Sequence, residues 1–112
     1  MLTGDLILHD GTGTTPLYTP PFSRRGEAAV FSLEATNDNG SPTMVVTVEH
    51  RNEDDTAWGT AGTFGAIAGT GVSNLDISSG LKELIRFAFT FSAGAAGDFY
   101  VVVIAPPAWR PY

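Results

Sequence analysis

The chain has 112 residues, a length that predicts one domain with enough buried surface for a single core. Hydrophobic residues make up 43% of it and charged residues only 16%, with a formal net charge of −6. This charge argues against nucleic acid and anionic membranes as partners, because both attract basic proteins. The sequence has no cysteine, which excludes disulfides and thiolate metal sites.

Two further expectations follow from composition. The charged share lies below the usual ~25%, which indicates either a surface partly covered by partners or one rich in Gly, Thr and Ser. The first residues lack the basic and apolar segments of a signal peptide, and no apolar run is long enough for a membrane-spanning helix. We therefore expect a soluble protein that is not exported by a leader of its own.

Short runs that alternate apolar and polar residues, separated by turn residues, fill most of the chain. Such alternation predicts half-buried strands. One helical turn at 80–84 is an alternative, although the alternation that begins at Ile85 favours a strand from there. The pattern predicts an all-β fold, an antiparallel, jelly-roll-like β-sandwich of about six to eight short strands. In chain order the runs are 6–8, 29–35, 44–51, 64–67, 72–77 and 85–92.

Residues 99–105 form a run that is apolar on both faces, which predicts a strand covered on both sides. The sandwich domain is expected to span 1–105 and to be followed by an extended tail, 106–112. Three prolines in the tail argue against a strand there, because proline lacks a backbone donor. Trp109, Arg110 and Tyr112 are candidate partner-binding residues. Three alternatives stay open: the tail docks on its own sandwich, docks on a neighbouring molecule, or is disordered.

Residues 10–26 show no convincing strand pattern and are predicted to form an irregular arm or loop. Tyr18 and Phe22 are expected to fix this arm and, like the tail aromatics, are candidate partner-binding residues. Arg24 and Arg25 follow them, either as the solvated start of a strand or as a contact with an acidic neighbouring surface.

The sequence offers no constellation for catalysis. A general base needs a nucleophile and an orienting group, and neither histidine has them at a recognisable spacing. His50 shares the apolar face of its strand and is predicted to be a satisfied histidine at the edge of the core. The acidic residues 53–55 suit either Ca²⁺ or, more simply, a solvated hairpin turn. We expect no enzymatic activity, no catalytic residue, no cofactor and no metal.

Several features follow one another along the second half of the chain: a strand with an outward acid, an acidic turn with a Trp, a Gly-Phe segment, a Leu-rich segment with a basic residue and a final apolar strand. These features and the residues upstream of them lie in segments 18–22, 25–29, 44–50, 55–58, 62–64, 81–87 and 99–103. Over residues 18–105 the chain thereby resembles small structural proteins of tailed bacteriophages.

The resemblance implies a head decoration, or cement, protein that is made in the host cytoplasm and lies on the capsid exterior. Such a protein stabilises the shell by bridging neighbouring subunits of the major capsid protein lattice. It also implies a homo-oligomer, for which we expect a trimer, and no catalytic residue. The tail has no counterpart in the resemblance.

Two alternatives remain. The first is another phage virion part, a tail or head–tail connector module, which would share the fold and differ in copy number. The second is a carbohydrate-binding β-sandwich, in which aromatic residues form a stacking platform and residues 53–55 hold Ca²⁺. The platform would consist of Tyr18, Trp58, Trp109 and Tyr112.

Overall fold

The computed structural model describes residues 5–9, 17–40, 43–92 and 99–110. These residues form ten strands and no helix. The number exceeds the predicted six to eight, because three of the strands span only two or three residues and carry no readable alternation. The strands are β1 (Asp5–His9), β2 (Leu17–Tyr18), β3 (Phe22–Ser23), β4 (Ala28–Asn39), β5 (Thr43–Arg51), β6 (Gly59–Thr63), β7 (Gly71–Ile77), β8 (Leu84–Ser92), β9 (Phe99–Ile104) and β10 (Ala108–Arg110).

The strands form two five-stranded antiparallel sheets. The first sheet has the order β1-β9-β4-β10, and β7 also pairs with β4. The second has the order β2-β8-β5-β6, and β3 also pairs with β8. The predicted all-β sandwich is confirmed.

The core is built from alternate residues of the long strands. The predicted alternation in 29–35, 44–51 and 85–92 is confirmed, since every second residue up to Val48 in the middle run, and throughout the other two, is buried. The inward side chains of the first sheet meet those of the second, as in other packed sheets. The core cluster includes Phe31, Leu33, Ala35, Met44, Val46, Val48, Ile85, Phe87, Phe89, Phe91, Tyr100, Val102 and Ile104.

Phe87 is the central aromatic residue of this core. Its ring meets that of Phe31 edge-on across the two sheets, with centroids 5.8 Å apart. It also stacks on Phe22 and Phe64 at 6.3 Å and on Phe89 at 6.5 Å. Edge-to-face and offset pairs at such distances add to the free energy of burial.

The prediction that the last long strand is covered on both sides is wrong. β9 buries Tyr100, Val102 and Ile104, whereas its other face is only half-buried. The reason is that an antiparallel sheet of a two-layer sandwich packs on one face only. Val101 and Val103 on the outer face are explained by the preference of β-branched residues for strands, which does not require full burial.

The prediction that the tail forms no strand is wrong for residues 108–110. β10 pairs antiparallel with the start of β4, placing Ala108 opposite Val30, Trp109 opposite Ala29 and Arg110 opposite Ala28. The prolines flank this strand and do not interrupt it, and a short strand at a sheet edge needs few donors. Residues 111–112 lie outside the described residues.

The predicted irregular arm is likewise partly strand. β2 pairs with Ala88 and Phe89, and β3 pairs with Leu84 and Ile85. Thr19 continues the ladder before Pro20 and Pro21: its N–H donates to the Phe87 carbonyl at 3.0 Å, and its Oγ1 accepts from the Phe87 N–H at 3.0 Å. The hydroxyl thus satisfies a buried donor where the following prolines offer no strand partner. Residues 10–16 lie outside the described residues.

No helical turn forms at 80–84. Gly80 adopts a positive φ of 84°, which turns the chain, and the Leu81 N–H donates to the Glu27 carbonyl. Leu81 is only 1% exposed, so this segment closes one end of the core. β8 then begins at Leu84, one residue before the predicted start.

Candidate functional site: a cleft between two sheet edges

An open cleft lies between β3 of the second sheet and β10 of the first. Its volume is about 630 Å³, within the ~300–1,000 Å³ of typical binding pockets. It brings the end of the predicted arm and the predicted tail together. We call it the edge cleft; its lining is Phe22, Ser23, Arg24, Arg25, Pro106, Pro107 and Trp109.

Trp109 forms one wall of the edge cleft and docks on its own domain. Its ring meets Phe31 edge-on, with centroids 6.3 Å apart and planes at 75°. Ala29, opposite Trp109 in the strand register, is fully buried. Of the three alternatives left open for the tail, the structure therefore shows the first for Trp109, which stays half-buried at the margin of the core.

Phe22 forms the opposite wall. It lies across from Ile85 in the register, and its half-buried ring stacks on Phe87 at an interplanar angle of 28°. Phe22 and Trp109 thus contact the two members of one aromatic pair, Phe31 and Phe87, from different sheets. Because both walls rest on the core, the apolar part of the cleft is preformed.

Arg24 is held in place beside this apolar surface. Its backbone N–H donates to the Glu83 carbonyl at 2.9 Å, and its guanidinium donates to the Leu81 carbonyl. Nη1 also lies 3.8 Å from a Glu27 carboxylate oxygen. The side chain remains one-third exposed, at 33%, and Arg24 is one of the residues that line the cleft.

Arg25 differs from the other basic side chains that the structure describes. Arg51 donates to three carbonyl groups of the acidic turn, Lys82 pairs with Asp55 at 3.8 Å, and Arg86 pairs with Glu49. The exposed Arg25 side chain makes no hydrogen bond or ion pair with any described residue. As far as the described residues show, this cation is available to an external anion, on a chain whose net charge is −6.

Tyr18, another candidate partner-binding residue, does not line the edge cleft. It is 50% exposed on the outer face of the second sheet, where the Arg86 guanidinium lies 3.8 Å from its ring centroid. The same guanidinium lies 4.4 Å from the Trp58 ring and donates to Glu49 Oε1 at 2.8 Å. The sequence analysis missed this cluster, although Glu49 and Arg86 occupy outward positions of neighbouring strands and face each other in the register.

The remaining predicted site residues divide as follows. The backbone of Arg110 belongs to β10, while its side chain and the whole of Tyr112 lie outside what the structure describes. The proposed stacking platform is not one surface among its described members: Trp58 and Tyr18 share Arg86, whereas Trp109 lines the edge cleft.

The acidic residues 53–55 form a turn between β5 and β6. The Asn52 N–H donates to Asp55 Oδ2 at 2.9 Å, and the Asp55 N–H donates back to the Asn52 carbonyl at 3.0 Å. Arg51 binds the carbonyls of the same turn. Within the described part of the chain, no three acidic or histidine side chains are grouped to hold a metal ion.

Substituting Arg86 by Met is expected to lower the free energy of unfolding by ~1–2 kcal/mol. The Arg86 and Glu49 side chains are only 19% and 20% exposed, so the change leaves a partly buried carboxylate unpaired and removes the cation between two rings. Urea denaturation measures the loss, and a double-mutant cycle with Glu49→Gln isolates the ion pair.

The matched control for Arg86→Met is Arg25→Met, which removes an exposed cation without a partner in the described part of the chain. We expect this control to change stability by less than ~0.5 kcal/mol. Equal effects of the two substitutions, or strict additivity in the cycle, would show that the Arg86 cluster contributes nothing specific.

His50 lies at the edge of the core, as predicted. Its Nδ1 accepts a hydrogen bond from the Lys82 backbone N–H at 3.2 Å, which favours the neutral ring. Burial, and secondarily the Lys82 ammonium, lowers the pKa of His50 below its usual 6.5. The arrangement is that of a satisfied structural histidine.

The unfolding free energy is expected to fall as the pH drops below 6.5, the usual pKa of histidine. The unfolded chain takes up the His50 proton first, because the pKa is lower in the folded protein. His50→Asn keeps an acceptor that does not titrate, so its unfolding free energy should fall less between pH 7.5 and 5.5. Denaturant titrations over this range test the expectation, which identical slopes for the two proteins would contradict.

No helix in the described residues is long and apolar enough to cross a membrane. Comparison of the chain with models of protein families, with curated proteins and with solved structures gives no match.

Proposed function

We propose that this protein is a virion structural protein that decorates the exterior of a phage capsid and stabilises it by bridging neighbouring shell subunits. The resemblance of residues 18–105 to phage structural proteins supports the biological setting. One structural observation supports a binding role: two segments far apart in the sequence converge on a preformed, open cleft, and the Arg25 side chain beside it has no partner among the described residues. In this proposal the edge cleft is one contact with the major capsid protein lattice.

Decoration of this kind stabilises a shell by mass action. A protein that binds only the assembled lattice shifts the equilibrium toward assembly by RT ln(1 + [L]/Kd) at each site. Contacts with two subunits at once raise the effective affinity further. Because strand pairing already holds β3 and β10, binding at the edge cleft orders little of this chain and loses little conformational entropy.

The test uses undecorated shells and the purified protein. We expect the protein to co-sediment with the shells and to raise their melting temperature. Failure of both measurements would overturn the proposal.

Copy number in purified particles separates decoration from the alternative of a tail or connector module: hundreds of copies support decoration, and a few dozen support the alternative. Sedimentation of the free protein tests the expected trimer.

A further inference from the structure

We propose that the edge cleft binds an extended acidic segment of a protein partner, with a carboxylate on Arg25 and an adjacent apolar side chain between Phe22 and Trp109. That the partner is a shell subunit rests on the proposed function; the chemistry of the segment rests on the cleft itself.

Charge selects the carboxylate. The whole chain carries 12 acidic and 6 basic residues, yet two consecutive arginines line this cleft. Arg24 already contacts Glu27 and the Leu81 carbonyl, whereas the Arg25 guanidinium donates no hydrogen bond to any described residue. A guanidinium presents parallel N–H groups that match a carboxylate in a bidentate pair.

The apolar walls select the neighbouring side chain. Phe22 and Trp109 are half-buried and rigidly backed by the core, while Pro106 is exposed beside them. A Leu, Phe or Trp side chain of the partner would bury the remaining ring surface of both walls. Such an aromatic pocket beside an arginine has the composition of an interface hot spot.

The walls also favour recognition through side chains over addition of a strand. Pro106 and Pro107 have no N–H to donate, and β10 is only three residues long between prolines 107 and 111. The cleft volume of about 630 Å³ suits a few residues of an extended chain and not a folded surface. Nucleic acid is disfavoured, because every nucleotide of its backbone carries a charge and only two arginines line the cleft. A peptide needs to place only one carboxylate there.

The test selects partners without assuming their sequence. The probe is an mRNA-displayed library of random ten-residue peptides, selected on the immobilised wild-type protein and measured by fluorescence anisotropy. We expect the binders to be enriched in Asp or Glu next to a large apolar residue. Arg25→Glu should weaken them about 10- to 100-fold, the range for one charge-assisted contact, and their affinity should fall as salt rises.

The matched control is Lys82→Glu, which makes the same charge change away from the cleft lining. It should bind the selected peptides within about twofold of wild type. Peptides in which the acid is replaced by Lys should regain affinity for Arg25→Glu. A selection without acidic enrichment, or equal binding by Arg25→Glu and wild type, overturns the inference.

The same variants on undecorated shells separate this inference from the proposed function. If wild type binds acidic peptides through Arg25 but ignores shells, the proposed function fails and the inference holds. If wild type and Arg25→Glu decorate shells equally and neither prefers acidic peptides, the proposed function holds and the inference fails.

Discussion

Replacing Phe87 by alanine is expected to lower the free energy of unfolding by ~3–5 kcal/mol, the largest effect of any substitution considered for this chain. Phe87 is 1% exposed and contacts the rings of Phe22, Phe31, Phe64 and Phe89. Alanine would leave a cavity at the point where the two sheets meet. Rings already fixed by strand pairing can collapse into it only in part.

A loss of this size is a large fraction of the ~5–15 kcal/mol by which domains are stable. In thermal denaturation it corresponds to a fall in Tm of about 15–25 °C for a domain of this length. Circular dichroism during heating and urea titration both measure it.

Phe87→Leu is the matched control, because it keeps an apolar side chain that fills much of the same space. We expect it to cost ~1–1.5 kcal/mol. If alanine and leucine at this position destabilise the domain equally, the cavity argument fails. If alanine costs less than ~1 kcal/mol, the ring cluster around Phe87 is not the centre of the core.

The long strands of both sheets could be predicted, because the alternation of apolar and polar residues in each strand shows that one of its faces is buried. In β8 the alternation of Ile85, Phe87 and Phe89 with polar or small residues follows from one face being buried. The same holds for the inward residues of β4 and of β5 as far as Val48. The pattern of β9 was misleading, since valines on its outer face are as compatible with a strand as buried ones.

The short strands could not be predicted, because their existence depends on partners far away in the sequence. β10 forms against residues 28–30, and β2 and β3 form against β8. Two- or three-residue strands have no period to detect, and nearby prolines argue against them locally. The backbone N–H groups of residues next to these prolines find their acceptors on strands that are distant in the sequence, as the Thr19 N–H does on the Phe87 carbonyl.

For the candidate site, too, the residues could be predicted from the sequence but their arrangement could not. The sequence predicts Phe22, Arg24, Arg25 and Trp109 as candidate partner-binding residues, and the structure brings these four together. Their convergence depends on β3 and β10 lying at facing sheet edges, which no local pattern encodes. Tyr18, a further candidate from the same predicted arm, lies on a different face, beside Arg86.

The second large effect is expected for Trp109. Substitution by alanine should lower the free energy of unfolding by ~2–3 kcal/mol, somewhat less than for a fully buried Trp, because Trp109 is half-buried. The change exposes Phe31 and the fully buried Ala29 opposite it. Truncation after Pro107 also removes the pairing of β10 with β4 and should cost ~1 kcal/mol more. Urea denaturation of the isolated protein measures both.

Trp58→Ala is the matched control, since Trp58 is also half-buried but contacts the arginines of the outer face and not the core. It should cost only ~0.5–1.5 kcal/mol. Trp109→Phe keeps an aromatic wall and should recover at least half of the lost unfolding free energy. This variant keeps the prediction testable even if the truncated protein fails to fold. An isolated domain whose stability is unchanged by Trp109→Ala would mean that the indole contributes nothing to its own domain. Trp109 would then act only on a partner, and the preformed wall of the edge cleft would have to be abandoned.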